Sequence, residues 1–132
     1  MAHVITFRTA RFDVSKERPN PINPIAGESV LRWLRDEIAK AGYRATEPDT
    51  EDWGWYIDVQ ADNSSYLVGA SGDSDTSTPV VDWTIQVHKA RSMKDKMLGR
   101  NKMASDDSLS ALIERIVRAD GRLEEVIVDR ES

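Results

Sequence analysis

Tyr56, Asp58, Gln86 and His88 are this chain's nearest approach to a catalytic pattern. Each falls on the polar side of an alternating segment, so neighbouring strands would present all four on one face. A histidine with orienting groups beside it can act as a general base, and the same set could hold a small molecule or a nucleotide. His3, the other histidine, is remote in sequence, and neither belongs to a His-x-x-x-His or Cys-x-x-Cys spacing that would hold zinc. Asp73-Ser-Asp75-Thr sets two carboxylates two apart, as Mg2+-dependent phosphotransfer does. The preceding Gly69-Ala-Ser-Gly72 is not an apolar parallel strand, and the glycine and final glutamate of a calcium loop are missing. That segment therefore reads as a solvated loop. A Gly-x-Ser-x-Gly elbow and a phosphate-cradling Gly-x-x-x-x-Gly-Lys-Ser/Thr loop are both absent. With no cysteine, neither disulfides nor thiolate chemistry can occur. The expectation is a non-catalytic protein with no metal ligand and no cofactor.

Charge is more informative than motif. No lysine or arginine lies between Arg44 and Lys89, while that stretch carries nine carboxylates and three of the four tryptophans. Lys89, Arg91, Lys94, Lys96, Arg100 and Lys102 then follow with a single acid, Asp95, among them. Opposite surfaces on one small domain speak of partners. The basic segment could meet an acidic protein surface, with Met93 and Met97 adding adaptable apolar contact. Glu47, Asp49, Glu51 and Asp52 could meet a basic one, or mimic the spaced charges of a nucleic acid as an immunity or anti-defence inhibitor would. The net charge of −5 argues against a general nucleic-acid binder.

The run Glu51-Asp-Trp-Gly-Trp-Tyr56, with Trp83-Thr-Ile-Gln-Val87 and the basic segment after it, resembles small bacterial α+β proteins to which no function is attached. The resemblance implies no activity and no site residue.

The elements that must position these residues follow from periodicity. Val4–Phe7 reads as a first strand. Pro19, Pro21 and Pro24 make residues 15–26 a loop. Val30, Leu31, Leu34, Ile38 and Ala41 form a helical stripe ended by Gly42, with Trp33 at its edge. Trp53, Trp55, Ile57 and Val59 alternate with polar residues, Asp62-Asn63-Ser64 turns the chain, and Tyr66–Ala70 returns. Val81, Trp83, Ile85 and Val87 mark a further strand. Residues 89–103 read as a loop with one helical turn. Ser105 suits the cap of a second long helix carrying Leu109, Leu112, Ile113 and Ile116, and Leu123–Val128 reads as a last strand.

The pattern predicts one α+β domain over residues 1–132, ordered β-α-β-β-β-α-β. A mainly antiparallel sheet would carry two helices on one face. Trp53, Trp55 and Trp83 are expected in the sheet-side core, since each can bury ~150–250 Å2. An aromatic ligand cradle beside Glu51 and Asp52 would need a tryptophan turned out of that core. The N-terminus lacks signal-peptide features and no apolar run is long enough for a membrane span, so a cytoplasmic bacterial protein is expected. The favoured function is a non-catalytic protein-interaction module using the segregated charges, with an unidentified protein partner or a second copy of the chain. The alternatives are small-molecule or nucleotide binding on the open sheet face, and the charge-mimicking inhibitor.

Overall fold

Alternation of apolar and polar residues builds the sheet, and the computed structural model describes residues 2–61, 63–73, 79–100 and 102–130. Seven strands form one sheet: β1 (Ala2–Thr9), β2 (Arg44–Ala45), β3 (Asp49–Glu51), β4 (Gly54–Ala61), β5 (Ser64–Gly72), β6 (Val81–Lys89) and β7 (Glu124–Asp129). The order is β2-β4-β5-β6-β1-β7, with β3 also on β4, and every pairing is antiparallel. The strands β4, β5 and β6 form the expected meander. Two short strands that the pattern does not predict, β2 and β3, lie before β4, the second of them within the acidic stretch. Their register on β4 covers most of its outer edge. Asp62, and Asp75 of the Asp73-x-Asp75 pair, lie outside the described residues.

Helices α1 (Glu28–Lys40) and α3 (Ser108–Ala119) pack on one face of the sheet, as the stripes require. Val30, Leu31, Leu34 and Ile38 of α1 meet Leu109, Ile113 and Val117 of α3. Beneath them lie Ile5, Phe7, Trp55, Ile57, Val59, Val68, Trp83, Ile85 and Val87 of the strands. Alternation thus places the inward residues of β4 and β6 correctly, with one exception. Trp53 is not in this core. It sits in the Asp52–Trp53 turn before β4, and Gly54 with φ 148° reverses the chain there, so strand alternation does not extend back to it.

The cap of α3 also differs. Asp107, not Ser105, is the N-cap and accepts from Ser110 N at 3.1 Å. The short helix α2 (Met93–Leu98) takes up part of the basic segment.

The proline loop does more than connect. The N-cap of α1 is Gly27, which has no side chain to offer. Glu17 supplies the missing acceptor from ten residues upstream. Its carboxylate receives the amides of Gly27 (2.9 Å), Glu28 (3.1 Å) and Ser29 (3.0 Å) and the Ser29 hydroxyl at 2.5 Å. Asn20 Nδ2 donates to the carbonyls of Glu51 (3.0 Å) and Gly54 (2.9 Å), and Asn23 Nδ2 to that of Asp52 (2.8 Å). The turn bearing Trp53 is therefore held from three points.

Candidate functional site

Six basic residues were candidates for partner contact, and the fold divides them in two. Lys89 lies over the Tyr66 ring at 5.9 Å and within 3.9 Å of the Asp107 carboxylate, with its side chain only 15% exposed. Arg91 donates to the carbonyls of Arg100 (3.0 Å) and Asp95 (3.3 Å), and Arg100 lies 3.7 Å from the Asp95 carboxylate. These three organise the segment. Lys94, Lys96 and Lys102 have no carboxylate partner among the described residues.

What they organise is α2. Ser92 and Asp95 form a reciprocal capping box at its start, and Gly99 closes it in the left-handed region at φ 66°. Not one residue of α2 is buried. Met93 and Met97, one turn apart, are 75% and 82% exposed, and Leu98 is 59% exposed. Short helices without a buried face are marginal in water, so caps and the Arg91 clamp replace packing here. The excursion is tied down on both sides, by Ala90 N donating to Ser65 O (2.8 Å) and by buried Met103.

The acidic candidates are also split. Glu47 is engaged by Arg32 and Arg35, each at 3.2 Å. Asp49 Oδ1 accepts the Thr50 amide. Asp49, Glu51 and Asp52 are exposed, the first two on β3 and the last in the turn before Trp53.

Tyr56, Asp58, Gln86 and His88 do share the sheet face opposite the helices. They do not form one cluster, because β5 separates β4 from β6. Gly69 lies between Tyr56 and Gln86, and Leu67 between Asp58 and His88. At about 4.8 Å per strand, each pair stands roughly 10 Å apart. Only His88 and Gln86 touch, His88 Nε2 donating to Gln86 Oε1 at 3.1 Å. Burial holds the His88 ring below the usual histidine range, hence neutral at pH 7. Burial raises the Tyr56 hydroxyl, and Asp49, Asp58 and Glu51 push it in the same direction. With β5 between them, Tyr56 and Asp58 stand beyond direct hydrogen-bond reach of His88.

Trp53, expected in the core, is half-buried outside it, as the aromatic-cradle alternative requires. The tip of its indole presses on Gly69, where a β-carbon would collide with Cη2 and Cζ3. Beside it an open hollow of about 340 Å3 is lined by Ile25, Ser71, Gly72, Asp73, Asp82 and Thr84. The signal available was the turn chemistry of Asp52 and Gly54, which ends a strand register.

A buried polar chain was also missed. Ser110 Oγ and His3 Nδ1 share a hydrogen bond of 2.5 Å, Asp107 accepts from Ser110 N, and the Tyr66 hydroxyl donates to Asp107 at 2.7 Å. Serine, histidine and aspartate together suggest acyl transfer, but His3 and Ser110 are each 1% exposed. No substrate carbonyl reaches Oγ, so the set joins β1 and β5 to the start of α3. Among the described residues no group of three or more histidines and carboxylates gathers to hold a metal, and no helix is long and apolar enough to cross a membrane. No family model matches the chain, and no curated protein or solved structure matches it significantly.

Proposed function

We propose that the protein is a non-catalytic interaction module that docks an acidic protein surface through α2. The observation that carries this reading is Met93, Met97 and Leu98 standing exposed on a helix that buries nothing yet is capped at both ends and clamped by Arg91. Pre-ordering a contact element lowers the entropy lost when it binds. Methionine adapts to irregular surfaces. Lys94 and Lys96 on α2 and Lys102 just beyond it pair with no carboxylate among the described residues, which selects an acidic occupant. The charge-mimic reading is weaker, because Glu47 is already paired with two arginines of its own fold.

The test compares capture from native lysate by the wild type and by the Met93→Asp/Met97→Asp variant, at low and high salt. Both side chains are exposed, so the variant should melt within about 0.5 kcal/mol of the wild type. Support requires an acidic protein that salt elutes, that the variant loses, and that rebinds the wild type once purified. Equal capture by both chains overturns the reading. So does sedimentation of the wild type with anionic vesicles or nucleic acid while no protein is retained.

A further inference from the structure

Trp53 has no role in the core, yet its turn is fastened with unusual care. Asn20 is buried and bridges the carbonyls on both sides of the turn, and Asn23 binds a third. The sheet beneath offers glycine at 69, where any side chain would displace the ring. The hollow beside it has a floor of small and hydroxyl-bearing residues, Ser71 and Thr84 facing each other across β5 and β6 and Gly72 adjoining. A fixed aromatic wall beside an open, small-residue floor leaves room for a small head group.

Charge decides the ligand's sign. Among the described residues no lysine or arginine lines the hollow, and Asp73 and Asp82 stand on its rim. Arg8 reaches the rim through Asp82 at 2.9 Å and lies 3.8 Å from Glu125. Glu51 and Asp52 immediately precede Trp53 in the chain. A phosphate or carboxylate ligand would face two rim carboxylates against the single guanidinium of Arg8. An organic cation would gain both from the indole face and from the surrounding carboxylates. We propose that the hollow between Trp53 and the Ser71–Thr84 floor is a binding site for an organic ammonium group.

The site lies at the Gly72 end of β5, whereas α2 adjoins the Ser65 end, so the two surfaces stand or fall separately. The ammonium could arrive on a free metabolite or on a lysine side chain. The experiment is a two-dimensional NMR titration of the wild type, following the Trp53 indole N–H and the Ser71 and Thr84 amides. The probes are choline, spermidine and Nα-acetyl-lysine methylamide, with 3,3-dimethylbutanol as the uncharged shape-match of choline. The expected result is saturable shifts at these three groups with dissociation constants near 1 mM or below, and at least about tenfold weaker binding of the neutral probe. Stronger binding of spermidine or choline points to a metabolite, and of the lysine probe to a protein side chain. Trp53→Phe should retain part of the affinity, and Trp53→Ala should lose it with the fold intact by its amide spectrum. Equal binding of the neutral probe, or no localised shift with any cation, overturns the proposal.

Discussion

At the scale of single residues, His3 is the most consequential side chain that motif searching passes over. It alternates with Ile5 and Phe7 on β1 and points inward with them, although the first strand was expected only from Val4. Its partner was not legible, because Ser110 lies 107 residues away and no spacing links them. Burial lowers its pKa, partly opposed by Asp107, with Arg130 lowering it further, Asp129 opposing and the N-terminal amine lowering it. The unfolded chain therefore binds this proton more readily than the folded one. Stability from His3 is present above the ordinary histidine value of about 6.5 and is lost as pH falls below it. His88, lowered by burial too, acts in the same direction. Carboxylates held below their usual range, such as Asp120 beside Arg122, lose their contribution only at lower pH. Denaturant unfolding should thus show a weaker fold at pH 5.5 than at 7.5, and His3→Gln should shrink that difference. An unchanged difference would remove His3 from the account.

At the scale of elements, the apolar stripes of α1 and α3 and the alternation in β4 and β6 were readable because burial follows periodicity. Termini were harder. Ser105 and Asp107 are both good caps, and only the reach of Asp107 to Tyr66 and Ser110 decides between them. The two short strands β2 and β3 carry no hydrophobic pattern and exist by pairing with β4. Glu17 was invisible for the same reason: nothing local says that a loop carboxylate caps a helix ten residues on. That cap yields a direct prediction. Glu17→Ala leaves three amides at the start of α1 without their acceptor and should cost about 1–3 kcal/mol, read from denaturant midpoints. Glu17→Gln should recover part of the loss, since one oxygen still accepts. A loss below about 0.5 kcal/mol would show that water replaces the carboxylate.

For the whole molecule, the question is which surfaces are closed and which are left open. The unpaired side of β7 would be a template for a second copy. It carries Glu124, Glu125 and Asp129, a register shift against β1, and a strained non-glycine φ of 53° at Glu125. These are devices that discourage strand addition, so the edge-pairing route to self-association gains no support. Replacing the three acids with threonine should lower the concentration at which light scattering detects association; no change would mean that the bend alone protects the edge. The position of β1 has a different consequence. It lies between β6 and β7, pairing with residues some 80 and 120 positions later. During synthesis the β4–β5–β6 meander can assemble from neighbours alone, whereas β1 emerges first and is satisfied last. Non-local closure of this kind is slow. The strand with Ile5 and Phe7 must therefore keep one edge open until β6 is made and the other until β7 follows, an adhesive ribbon in the meantime.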